Sequence, residues 1–155
     1  MAEEFNRITG SKSDQYTGIL PQLKGLLYGE ADLIANMANI TAVLKEQFSW
    51  LWIGFYIVRD NQLVLGPFQG PVACTRINYN KGVCGTAWAR KETILVPDVE
   101  SFPGHIACSG LSKSEIVIPV WKDNVIIAVL DIDSIALNDF DEMDKKYLEE
   151  IAGLL

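Results

Sequence analysis

The sequence contains a single histidine, His105, and no Cys-x-x-Cys pair. Structural zinc sites use closely spaced ligand pairs, so zinc is a poor fit and no metal is expected. There is no Walker loop and no Gly-x-Gly-x-x-Gly after a strand, so a nucleotide cofactor is unsupported and no cofactor is expected. Basic residues are few: 13 Lys and Arg stand against 20 Asp and Glu, for a net charge of -7. Nucleic acid and anionic membrane call for clustered positive charge, so neither is expected as a partner. The longest apolar run, "WLWIGFYIV", is about half of the roughly 20 residues a membrane helix needs. The N-terminal "MAEEFNRITGSKSD" is acidic and polar, unlike a signal peptide. A cytoplasmic protein is expected, in a compartment that keeps thiols reduced. Its cysteines, Cys74, Cys84 and Cys108, are then no disulfide framework. An odd count leaves packing, metal binding or redox chemistry.

What is present suits one folded domain. The chain has 155 residues, 49% hydrophobic and 21% charged, which is enough for one core. Residues 1–14 read as a loosely held arm and 15–155 as a single domain. "LPQLKGLL" places Pro21 where a first helical turn accepts it. A helical period runs from Glu30 to Gln47 through Ile34, Met37, Ala38, Val43 and Leu44. Trp50 to Val58 is a strand. "RDNQ" turns the chain into a second strand, "LVLGPF", and "VACTRINY" reads as a third. "VCGTAWAR" is a short helix and "TILVPD" a short strand. A long loop, Val99 to Lys113, precedes "EIVIPVW" and "VIIAVLDID", a hairpin about a three-residue turn, Lys122-Asp123-Asn124. Asp139 can cap a last helix, with Glu142 completing a capping box. That helix puts Phe140, Met143, Tyr147, Leu148 and Ile151 on one face. The order implies an α+β fold: an antiparallel sheet, helices on one face, and a pocket beneath the long loop on the other.

Strand alternation groups the candidate site residues. Asp131 and Asp133 share a face and close an apolar strand. Two carboxyl groups so placed repel each other, which raises at least one pKa. The bland alternative is that they end the strand and cap its turn. Trp52 and Tyr56 share a face across Gly54, as a wall for a small apolar group or as plain core. Glu115 opens the hairpin strand among Ile and Val, at the edge of a core. Cys74 and Cys84 sit in apolar contexts as small packers. Cys108 lies in "HIACSG", a Gly- and Ser-rich loop that seldom buries a thiol, beside His105. Buried filler, metal ligand, half of a disulfide and nucleophile all remain open for it.

These stretches together resemble one family. "LWIGFY", "QGPVACTRI", "KGVCGTAW", "VPDV", "FPGHIACSGLSKSEIVIP" and "VLDIDS" are similar to the free methionine-(R)-sulfoxide reductases, which are single GAF domains. The resemblance runs from about Tyr16 to the C-terminus. It implies a GAF-like fold and a catalytic nucleophile at Cys108. It implies that Cys74 resolves the oxidised nucleophile as a disulfide, and that Cys84 is dispensable or a secondary partner. It assigns the family's carboxylates to Glu115, Asp131 and Asp133 and its aromatics to Trp52 and Tyr56. Family members often carry an acidic residue after the catalytic cysteine, where this chain has Ser109.

The expected reaction is thiol-dependent reduction of free L-methionine-(R)-sulfoxide to methionine. It passes through a sulfenic acid on Cys108 and a disulfide with Cys74. A thioredoxin-type dithiol would reduce that disulfide. Two rivals remain: a non-catalytic GAF sensor binding a small ligand, and a redox-switch or interaction domain. A sensor would be expected to carry an effector domain and would not need both Cys74 and Cys108. The apolar end, "IAGLL", reads either as a homodimer interface or as the plain end of a core helix.

Overall fold

The computed structural model describes residues 4–155. Helix α1 (Lys12–Leu27) is followed by α2 (Leu33–Phe48), β1 (Trp52–Arg59), β2 (Gln62–Gln69), β3 (Arg76–Asn78), α3 (Gly82–Arg90) and β4 (Ile94–Val96). A short 3₁₀ turn and a loop lead to β5 (Ser114–Lys122), β6 (Val125–Ser134) and α4 (Glu142–Ala152). The strands form one six-stranded sheet in the order β3-β2-β1-β6-β5-β4, and every neighbouring pair is antiparallel. The α+β expectation therefore holds.

Alternation along the central strands divides the core in two. Ile53, Phe55 and Ile57 on β1, Ile116 and Ile118 on β5, and Leu130 and Ile132 on β6 face one way. There they pack against Tyr16, Ile19 and Leu23 of α1, Met37, Ile40 and Leu44 of α2, and Leu148 and Ile151 of α4. The opposite face holds Trp52, Tyr56, Val117 and Val129, covered by Val83, Cys84 and Ala87 of α3. So three helices lie on one face, but α3 packs on the pocket face. Both tight hairpins turn on an Asp-Asn pair with positive φ at each residue, Asp60-Asn61 and Asp123-Asn124. That is the backbone signature of a two-residue turn matched to strand twist, so the second turn is one residue shorter than expected.

Four local expectations fail for identifiable reasons. First, α1 does not begin at Pro21. Ser11 caps it in a reciprocal box with Asp14, and burial of Tyr16, Ile19, Leu20, Leu23 and Leu27 offsets a proline inside the helix. This start also falls within the expected 1–14 arm. Of that arm, Asn6 and Ile8 donate backbone N–H groups to Gln22 and Gln47 at 2.9 Å each, while residues 1–3 lie outside the described range. Second, "VACTRINY" pairs only at Arg76–Asn78. Gly70 has φ 137° and Pro71 lacks a donor, so residues 70–75 leave the ladder as a loop. Third, the last helix is capped by Asp141 with Asp144. Asp139 instead accepts a hydrogen bond from the Ser134 hydroxyl at 2.5 Å. Fourth, that shift turns Met143 outward, 39% exposed, and buries Asp144 completely.

The final segment packs on its own chain. Ile151 and Ala152 are buried, with Leu154 and Leu155 against the same core. Among the described residues no helix is long and apolar enough to cross a membrane.

Asp144 ties the helical layer together. It accepts hydrogen bonds from the Tyr16 hydroxyl at 2.6 Å and the Lys12 ammonium at 2.6 Å, joining α4 to α1. Asp144→Ala leaves the buried Tyr16 hydroxyl without a partner and is expected to cost about 2–4 kcal/mol. Thermal unfolding followed by circular dichroism should show Tm roughly 10 °C lower; a change under about 2 °C would contradict this role.

Candidate active site

The pocket floor is set by strand register. Trp52 pairs with Asp133, and Asp133 pairs with Glu115, so these side chains form one row across β1, β6 and β5. The next row is Gly54, Asp131 and Val117. Directly opposed residues on one face lie about 4.5–5.5 Å apart at Cβ. The acids of "SEIV" and "LDID", distant in sequence, are thereby gathered over a few ångströms.

The aromatic wall depends on a missing side chain. A Cβ on Gly54 would overlap the Trp52 indole and would lie 2.5 Å from the Phe68 Cβ. With hydrogen there, Trp52 stacks on Phe68 at 5.3 Å and on Tyr56 at 5.8 Å between ring centroids. The same two aromatics hold the loop that carries Cys74. The Trp52 indole N–H donates to the Pro71 carbonyl at 3.1 Å, and the Tyr56 hydroxyl donates to the Cys74 carbonyl at 2.9 Å. The sequence offered no sign of this second role.

The two loops meet at the mouth. Cys74 and Cys108 form a disulfide with Cα atoms 5.6 Å apart. Cys108 lies exposed at the rim and Cys74 is half-buried. The loop bearing Cys108 is anchored to β6: the Ser112 hydroxyl donates to Asp133 Oδ1 at 2.7 Å, and the Lys113 N–H to the Ser134 carbonyl at 2.8 Å. Ser109 accepts from the Leu111 N–H at 3.2 Å, a local turn contact made by its hydroxyl. Cys84 is the remaining free thiol, buried on α3 among the pocket-lining residues. The enclosed space is about 580 Å³ with its open mouth included, lined by Trp52, Tyr56, Cys84, Glu115, Asp131 and Asp133 below and by His105 and Cys108 above.

Burial governs the electrostatics. It pushes the Glu115 and Asp133 carboxyl groups well above the ordinary carboxylate range, and the neighbouring Asp131 pushes both further. Asp131 is raised by burial too, against the opposing effect of hydrogen bonding to Glu115 and Cys84. Glu115 on this balance keeps its proton. Asp131 Oδ1 is nonetheless buried without a geometrically formed hydrogen bond. Burial, then Asp131 and Glu115, raise the Cys84 thiol, so it stays protonated at neutral pH. His105 is lowered by burial, and its Nε2 stands 3.7 Å from Glu115 Oε2, too far for a hydrogen bond.

All eight candidate residues from the sequence therefore belong to one site: Trp52, Tyr56, Glu115, Asp131, Asp133 and Cys84 within the pocket, and Cys74 and Cys108 in the bond across its mouth. His105 and Ser112, which the sequence did not single out as site residues, join them. Ser112 is one of many loop serines, and only the fold brings it to Asp133.

The GAF domain family model matches residues 30–155. GAF domain-containing protein A of Dictyostelium discoideum is 62% identical over 100% of this chain and 99% of its own length. The free methionine-R-sulfoxide reductase of Escherichia coli is 43% identical, covering 94% of this chain and 88% of its own. The crystal structure of the free methionine-R-sulfoxide reductase of Neisseria meningitidis in complex with its substrate superposes with a TM-score of 0.96. It is 49% identical, over 99% of this chain and 93% of that one.

Raised carboxyl pKa values have a stability consequence. A buried acid whose folded pKa exceeds its unfolded value contributes stability that is complete below about pH 4 and lost as pH rises through the folded value. The oxidised protein is therefore expected to lose Tm between pH 5 and pH 8. Glu115→Gln should lose less Tm over this range and be more stable than wild type at pH 8. Thermal scans across this range check it; identical pH slopes would contradict the assignment.

Proposed function

The chain belongs to the GAF domain family, in the branch of the free methionine-R-sulfoxide reductases, and from that premise we propose how its residues carry out the reaction. It is an oxidoreductase that converts free methionine-(R)-sulfoxide to methionine. One observation carries the assignment of roles: a disulfide between Cys74 and Cys108 lies at the mouth of a pocket floored by buried carboxyl groups.

Cys108 is the nucleophile. Its thiolate attacks the sulfoxide sulfur while a proton moves to the sulfoxide oxygen. Glu115 supplies that proton, because burial and Asp131 keep it a neutral acid at pH 7. Cleavage of the sulfur–oxygen bond expels the oxygen as hydroxide, which attacks the Cys108 sulfur. The bond between the two sulfurs breaks, methionine leaves with its electron pair, and Cys108 is left as a sulfenic acid, oxidised by two electrons. The Cys74 thiol attacks that sulfur, a disulfide forms, and the oxygen leaves as water. A thioredoxin-type dithiol then reduces the disulfide, whose Cys108 half is exposed at the rim. Cys84 cannot replace Cys108, since its buried thiol stays protonated.

The other groups position the substrate. Asp131 and Asp133 face its ammonium group. Trp52 and Tyr56, with the space that Gly54 leaves open, enclose the S-methyl group and select one sulfoxide hand. The two loops cover the substrate, which favours a free amino acid over a peptide-bound residue. All these residues come from one chain, so the mechanism holds for a monomer and a homodimer alike. A dithiol partner of this kind fits a cytoplasmic location. A non-catalytic sensor would use the pocket but would give no reason for a cysteine pair at its mouth.

Turnover of racemic free methionine sulfoxide with excess dithiothreitol tests the scheme. Wild type should consume only the R form. Cys108→Ser should be inactive, and Glu115→Gln should lose about 10²-fold or more in kcat/KM. Activity surviving in Cys108→Ser, or consumption of both hands, would overturn these roles.

A further inference from the structure

Cys84 has no task in the mechanism, yet it sits among chemically unusual neighbours. Cys84, Glu115 and Asp131 each present a ligand atom, and these atoms all lie within 4.8 Å of one another. Each residue is less than a tenth exposed. Asp131 Oδ1 is buried without a hydrogen-bond partner and belongs to the lining of the same pocket. His105 Nε2 lies 3.7 Å from Glu115 Oε2. A thiol, two carboxyl groups and an imidazole are a donor set suited to Zn²⁺ rather than Mg²⁺ or Ca²⁺. An ion at the centre of the three atoms would stand at most about 2.8 Å from each, so shifts of roughly 0.5–0.8 Å give zinc's bond lengths. Neighbouring donors in a tetrahedral shell are about 3.3–3.6 Å apart, close to the His105–Glu115 separation.

We propose that the pocket binds a thiophilic divalent cation, Zn²⁺, through Cys84, Glu115 and Asp131, with His105 as the fourth donor. The ion displaces the thiol proton and the Glu115 carboxyl proton. Close Cys and His spacing is absent because the ligands come from α3, β5, β6 and the long loop, which the sheet brings together. The ion would occupy the space assigned above to the substrate's ammonium group and exclude substrate. That consequence rests on the functional proposal; the binding itself does not.

The disulfide form gives a clean test. With Cys74 and Cys108 joined, Cys84 is the only thiol that can ligate. Oxidised protein titrated with Co²⁺ should show a saturable one-to-one near-ultraviolet band from thiolate-to-cobalt charge transfer. Added Zn²⁺ should abolish that band. Cys84→Ser should lack it, and Asp131→Asn should need at least tenfold more Co²⁺. Absence of a saturable band in wild type, or an unchanged band in Cys84→Ser, would overturn the proposal. If Cys84→Ser does not fold, the cobalt affinity of Asp131→Asn decides: an unchanged affinity overturns it.

Discussion

Burying several carboxyl groups on one face of a sheet is tolerable only if most of them stay neutral. A buried carboxylate without a cation is costly, and among the described residues no lysine or arginine is buried. The register of β1, β6 and β5 forces Glu115, Asp131 and Asp133 together regardless. Protonation relieves the repulsion, and the Ser112 hydroxyl bonded to Asp133 absorbs part of the remainder. The reaction needs what this constraint produces: a proton available at neutral pH beside an otherwise poor leaving group.

Two loops depend on the same face. Trp52 and Tyr56 wall the pocket and also hold the backbone around Cys74 through Pro71 and Cys74 carbonyls. Asp133 forms part of the floor and also anchors the Cys108 loop through Ser112. Trp52, Tyr56 and Asp133, which meet substrate in the proposed scheme, are therefore each tied to a loop that carries one of the reacting cysteines. Behind the sheet, α1, α2 and α4 supply only packing, with Asp144 joining the first and last of them.

Much of this was legible from residues alone. Period-2 alternation correctly put Trp52 with Tyr56 and Asp131 with Asp133, because it depends only on strand geometry. The motif resemblance supplied the pairing of Cys74 with Cys108, which no spacing rule contains. The reading failed where short-range signals compete. Pro21 looked like a helix start, but the Ser11–Asp14 box, visible in "SKSD", outranks it. Asp139 and Asp141 are both plausible caps, and the Ser134 hydroxyl decided between them by engaging Asp139. Gly70 and Pro71 in "QGPVAC" were signals enough to make Cys74 a loop residue. The contribution of Ser112 and the convergence of Cys84 on Glu115 and Asp131 were beyond reach, since both arise from tertiary packing.

The central claim is that Cys108 takes the sulfoxide oxygen and Cys74 then removes it. Reduced Cys74→Ser, mixed with one equivalent of free methionine-(R)-sulfoxide without reductant, isolates the first half. One methionine should form per chain, with a mass gain of about 16 Da located on Cys108 by a sulfenic-acid trap. Methionine formed without oxidation of Cys108, or the oxygen found on Cys84, would contradict the account.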